Sequence, residues 1–138
     1  MLDIATGGGI VAIAAALAGA LSVLANDVDP FCETVVRLNA AANAVAIEYL
    51  AGALEVGSVP PADVVVAGDI AYDREMTPPL FRMLRRLAGQ GATVLAGDPG
   101  RAYLPREILT LIAEYRVPVT RALEDSEVKI CRVWQVEP

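Results

Sequence analysis

The sequence predicts an α/β domain built on a mostly parallel sheet, with an antiparallel strand at its C-terminal end. Three observations predict it. Short apolar runs of strand length alternate with stretches of helical length, as in repeated βα units. The first run ends in a glycine turn, Thr6–Gly9, that opens directly onto an alanine-rich stretch. The last two extended runs are separated by a short polar link, which reads as a hairpin.

Taken in order, Met1–Ala5, Leu21–Asn26, Ile47–Leu50, Asp63–Ala67 and Ala92–Ala96 read as strands, short apolar runs suited to burial on both faces of a sheet. Ile10–Ala18 reads as a helix that is apolar around most of its circumference, so it calls for cover on more than one side. Pro30–Asn43 reads as a helix with Asp29 as N-cap and Pro30 in the first turn. Ala51–Ala62, rich in Gly and Pro, reads as a loop. Pro79–Ala88 reads as a helix whose Arg82, Arg85 and Arg86 form a solvated face, and Pro105–Glu114 as a further helix. Val117–Leu123 and Lys129–Val136 complete the hairpin through Glu124–Glu127.

At 138 residues, 55% hydrophobic and 20% charged, the chain reads as one domain spanning residues 1–138 with a sizeable core. A net charge of -6 and a single lysine, Lys129, argue against binding nucleic-acid phosphates, which needs clustered cations. With no histidine and only Cys32 and Cys131, far apart, neither a zinc site nor a Cys/His nucleophile has enough partners. Both cysteines read as buried thiols of a reducing compartment. The longest apolar run, Ile10–Leu24, is too short to span a bilayer and is broken by Gly19 and Ser22. Asp3 sits where a signal peptide would be basic. These features predict a soluble, cytoplasmic protein without membrane or nucleic-acid partners, its oligomeric state open.

Gly7, Gly8 and Gly9 allow a ligand to approach the backbone closely at the carboxyl end of the first strand, where the following helix adds a positive dipole. Asp27, about 20 residues beyond the turn, stands where a carboxylate can accept both hydroxyls of a ribose. The spacing Gly7-x-Gly9-x-x-Ala12 also satisfies the dinucleotide fingerprint. Asp3 in the first strand, placed to hold the glycine loop or a methionine ammonium, and the terminal hairpin favour S-adenosylmethionine over NAD. A nicotinamide oxidoreductase would also want a substrate domain and a proton donor that the chain lacks.

The blocks LDIATGGGIVAIAAA, LANDVDP, DVVVAGDIAYDREM, TVLAGDPGR and VWQVEP together resemble the class I S-adenosylmethionine-dependent methyltransferases. Within them the chain is similar to the protein-lysine methyltransferases acting on the electron transfer flavoprotein beta subunit, in the ribosomal protein L11 methyltransferase-like superfamily. The resemblance implies a Rossmann-like seven-stranded sheet, S-adenosyl-L-methionine as cofactor and a protein substrate, with that flavoprotein subunit expected. It implies that Asp3, Gly7 and Gly9 line the methionine side, Asp27 the ribose and Ala53 with Leu54 the adenine, with Ala5 and Asn26 also binding the cofactor. Ala5 stands where the family motif has glycine, and Ala53 and Leu54 stand where an acidic residue often meets adenine. Asp69 and Tyr72 match the D-x-x-Y motif of the acceptor site, Asp69 also touching the cofactor. Asp73 and Glu75 would draw in a cationic substrate, and Arg101 falls near the substrate side. Relatives carry several dozen residues before the first strand, so the chain reads as a core lacking that region. Ribosomal protein L11 or a small amine as acceptor, and a silent module that binds cofactor or a partner, are the competing expectations.

Overall fold

The computed structural model describes residues 1–55, 57–119 and 128–138. Seven strands form one sheet: β1 (Leu2–Ile4), β2 (Leu24–Asp27), β3 (Glu48–Ala51), β4 (Val64–Gly68), β5 (Thr93–Asp98), β6 (Leu109–Pro118) and β7 (Val128–Val136). Their order across the sheet is β3-β2-β1-β4-β5-β7-β6. Strands β1 to β5 pair in parallel, and β7 runs antiparallel to both β5 and β6. This is the expected Rossmann-like seven-stranded sheet.

Helices α1 (Ile10–Leu17) and α2 (Cys32–Ala42) cover one face, where Ala12 and Val36 meet Val23 and Ala25 of the second strand region. Helix α3 (Thr77–Gly89) covers the other, burying Phe81, Met83, Leu84 and Leu87 against Leu2, Val65, Val94 and Val136. Arg82, Arg85 and Arg86 form its exposed face, as expected, and Arg85 also donates to the Pro138 carbonyl. On α1 the apolar circumference divides: Ala12 and Ile13 are buried, while Ile10 and Leu17 are exposed.

One expected element is of the wrong type. Pro105–Glu114 is not a helix; a single turn of 3-10 helix, Arg106–Ile108, leads straight into β6. Branched and aromatic residues, Thr110, Ile112, Tyr115 and Val117, favour an extended backbone there, and pairing with β7 from Leu109↔Val136 to Pro118↔Val128 fixes it. The hairpin therefore exists with its first strand eight residues earlier than expected. Residues 120–127, including the Glu124–Glu127 link, lie outside the described residues. Both cysteines are partly exposed rather than buried. Asp29 accepts the Phe31 N–H at 2.9 Å in a turn that precedes α2, so the cap stands outside a helix that begins two residues after Pro30.

The turn from β1 into α1 is held from beneath. Asp3, 1% exposed, accepts the Thr6 hydroxyl at 2.6 Å and the Ala12 N–H at 3.0 Å through one oxygen, Oδ2. Its other oxygen is buried without a partner. Gly9 has φ +80, and a Cβ there would lie 3.1 Å from Val36, so this glycine serves both the turn and the close seating of α1 on α2.

Two predictions follow from this turn. Ala5 has φ +56, a left-handed conformation that costs an L-residue roughly 1–2 kcal/mol. Ala5→Gly relieves that strain and gives back roughly 0.5–1 kcal/mol in chain entropy, so we expect a net gain of up to about 1 kcal/mol in urea unfolding. Burial pushes the Asp3 carboxyl up from its ordinary value, only partly opposed by the hydrogen bonds from Thr6 and Ala12. The folded state thus keeps a proton over a range where the unfolded chain has released it. The cost of the buried charge is present in full above the raised value and absent below the ordinary value of about 4. Urea unfolding of wild type and Asp3→Asn should therefore show wild type gaining on the variant as pH falls through that window.

Candidate active site

The carboxyl ends of β1, β2 and β4, the loop after β3 and the start of α3 enclose a cavity of about 610 Å³, a size suited to a small-molecule cofactor. It lies where the sheet order reverses, between β1 and β4, the crevice in which open α/β sheets bind ligands. Ala5, Gly7, Asn26, Asp27, Ala53 and Leu54 line one side, and Asp69 and Tyr72 the other. The expected cofactor and acceptor residues are thus brought to one space, with two exceptions. Asp3 and Gly9 are not in the wall, because both act below the turn.

At the end of β2, Asp27 joins the glycine turn to the second strand. Its Oδ2 accepts the Gly7 N–H at 2.8 Å and its Oδ1 accepts the Asp29 N–H at 3.0 Å. Each oxygen keeps lone-pair capacity, which is what two vicinal hydroxyls need. Gly7 has φ +54 and no protein atom within 4 Å of a built Cβ, so the turn leaves the wall open at that point. Asn26 is buried and spends both amide hydrogens on the carbonyls of Leu50 and Gly52, at 2.8 Å each. It thereby fixes the loop that carries Ala53 and Leu54. Asn39 of α2 adds a further tie, donating to the Gly8 carbonyl at 2.8 Å. Burial and the carboxylates of Asp27 and Asp29 push the Cys32 thiol up, so it is poorly disposed to act as a thiolate.

At the end of β4, Gly68 is followed by Asp69 with φ +56, its N–H donating to the Gly97 carbonyl at 2.8 Å. Arg101 holds both Asp69 oxygens: Nε donates to Oδ1 and Nη2 to Oδ2, each at 2.6 Å. Tyr72 is 67% exposed, so it stands at the mouth and is no core aromatic. Asp73 is committed elsewhere, since its Oδ1 accepts the N–H groups of Glu75 and Met76 at the entry to α3. That bonding fits a helix-entry cap better than a lure for substrate. The segment Gly97–Gly100 is a turn in which the Asp98 carboxylate accepts the N–H groups of Gly100 and Arg101.

Sequence reasoning missed the apolar wall at the start of α3, where Leu80 and Met83 line the cavity with Met76 just before the helix. The signal was present, since Met76, Leu80, Met83 and Leu87 recur at helical spacing beside the stripe of Phe81 and Leu84. It also missed the Arg101–Asp69 pair, for which no local signal exists.

Comparison with known proteins agrees with this geometry. The chain is 35% identical over 144 residues to the electron transfer flavoprotein beta subunit lysine methyltransferase of Xenopus laevis, covering 100% of this chain and 58% of that protein. It is 31% identical to a ribosomal protein L11 methyltransferase of Polynucleobacter necessarius, covering 95% of this chain and 39% of that protein. The chain therefore spans only about half the length of such relatives. Among solved structures, the Pyrococcus abyssi tRNA (uracil-54, C5)-methyltransferase in complex with S-adenosyl-L-homocysteine has the same fold, with a TM-score of 0.69 at 18% identity over 98% of this chain and 33% of that one. Residues 1–97 match the family described as ribosomal protein L11 methyltransferase (PrmA), a span that takes in the glycine turn, Asp27 and the strand leading to Asp69. On that match the chain belongs to the ribosomal protein L11 methyltransferase (PrmA) family.

Proposed function

We propose that this chain is the core of an S-adenosyl-L-methionine-dependent N-methyltransferase acting on protein lysine, with the electron transfer flavoprotein beta subunit as substrate. One observation carries the proposal: the ribose-type carboxylate Asp27 and the D-x-x-Y residues Asp69 and Tyr72 face a single cavity. The substrate follows from the relative that aligns along the whole chain and bears that name.

The residues present fit the cofactor. Among the described residues the cavity wall carries Asp27, Glu55 and Asp69 and no Lys or Arg, a charge suited to a sulfonium cation. Asp27 would take the ribose, the turn at Ala5 and Gly7 the methionine portion, and Ala53 with Leu54 one face of the adenine. When bound, S-adenosyl-L-methionine supplies an electrophilic methyl group to a nitrogen lone pair and departs as its neutral thioether. The protein's share is alignment and exclusion of water, because in-line transfer depends on the angle and distance of approach. Asp69 accepts an N–H of the amine and so aims its lone pair inward. Tyr72 and Met76 form the mouth through which a long, thin side chain reaches Asp69. Excess protons leave to solvent on the exposed side of Asp69.

Calorimetric titration with S-adenosylhomocysteine should show binding by the wild-type chain that Asp27→Ala weakens at least tenfold, the loss of hydrogen bonds to a charged acceptor. With labelled S-adenosyl-L-methionine, label should enter the flavoprotein subunit, and Asp69→Asn should lower kcat about a hundredfold with cofactor affinity unchanged. Label entering ribosomal protein L11 and not the flavoprotein subunit would replace the proposed substrate, an outcome the family match keeps in play.

A further inference from the structure

We infer that Arg101 is a positioning residue for methyl transfer: its guanidinium fixes the plane of the Asp69 carboxylate and offsets its charge, so the acceptor lysine is held there as a neutral amine.

The pair is built from both ends. Gly68 of β4 lies in register with Gly97 of β5, so the residues that follow leave adjacent strands side by side. The Asp69 backbone is tied to β5 by its N–H on the Gly97 carbonyl at 2.8 Å. Arg101 is presented by a turn closed on the buried carboxylate of Asp98, which accepts Gly100 N–H at 2.6 Å and Arg101 N–H at 3.1 Å. The contact itself is a two-pronged fork, each prong 2.6 Å.

Folding stability does not account for it. The two side chains are 40% and 50% exposed, and ion pairs that exposed contribute little. The left-handed backbone at Asp69 is a further cost to folding, smaller for Asp than for most residues. An arrangement that returns no stability while straining a residue in the cavity wall is explained by what it does there.

The chemistry supplies the reason. A carboxylate standing alone favours the charged form of an amine beside it. An ammonium nitrogen has no lone pair and cannot accept a methyl group. The fork takes one acceptor position on each Asp69 oxygen and leaves another, so the carboxylate can still receive an N–H while its charge is matched. No other described cation does this. The wall adds only the carboxylates Asp27 and Glu55. Asp98 faces backbone N–H groups, and Asp73 Oδ1 faces those of Glu75 and Met76. Arg132, on the strand beside β5, is paired with Glu114 at 2.8 Å. Once nitrogen has bonded to the methyl carbon and the sulfur–carbon bond has broken, any surplus proton on nitrogen passes to water.

The inference rests on Asp69 receiving the amine, and the test separates the two. For wild type, Arg101→Gln, Arg101→Lys and Asp69→Asn, kcat is measured against pH with S-adenosyl-L-methionine and the flavoprotein subunit, alongside S-adenosylhomocysteine affinity. In Arg101→Gln the rise of kcat with pH should move up by about one unit. That adds a tenfold loss near neutrality, recovered at high pH only up to the lowered plateau that loss of the fork leaves, with cofactor affinity within about twofold of wild type. Arg101→Lys, which keeps the charge and loses the fork, should keep the wild-type midpoint and show a lowered plateau. A uniform loss in Arg101→Gln with an unmoved midpoint would overturn the inference. Wild-type rates in Asp69→Asn, or no transfer by the wild-type chain, would instead overturn the proposed function and the role of Arg101 with it.

Discussion

The sharp reversal of the chain between β1 and α1 is the constraint on which the rest depends. Over a few residues the backbone must leave a central strand, adopt positive φ at Ala5, Gly7 and Gly9, and enter a helix. Left-handed backbone does not persist unless its surroundings over-determine it. Here two carboxylates do so. Asp3 reaches past the turn to the first turn of α1, and Asp27 holds Gly7 from the second strand. Because Asp27 is tied to the turn, the position of its carboxylate in the cavity wall and the shape of the glycine loop are one quantity.

The same economy holds across the cavity. Neighbouring parallel strands end level, at Gly68 and Gly97, and their next residues turn toward each other. Near the glycine turn the shaping groups are buried, Asp3 beneath the wall and Asn26 within it. Beyond β4, Asp69, Tyr72 and Arg101 remain open to solvent. A small cofactor suits the first environment, and a protein side chain arriving from outside suits the second.

Much of this was legible in the sequence, and the exceptions share a cause. Parallel strands buried on two faces announce themselves as apolar runs, and a glycine turn with a carboxylate one βα unit later is a local pattern. Gly7 and Asp27 followed from that pattern, Ala53, Leu54, Asp69 and Tyr72 from the family resemblance, and all six line one cavity. Strand β6 was not legible, since Leu109–Arg116 suits either periodicity and only its pairing with β7 decides the matter. Asp3 was half legible: its hold on the loop could be guessed, but not that Thr6 and Ala12 share one oxygen. The Arg101–Asp69 fork depends on strand register, which no short stretch of sequence encodes.

Strand β7 follows β6 in the chain yet lies between β5 and β6 in the sheet. Chain order and spatial order are inverted there, with a consequence for synthesis. When a ribosome has released β6, the growing sheet ends at β5 and has no seat for it. The apolar and aromatic, half-exposed side chains of Leu111, Ile112 and Tyr115 must wait unpaired until β7 emerges and is inserted. Assembly of this edge is thus a late step coupling two strands, and the interval before it is when the nascent chain is most open to pairing with a stranger.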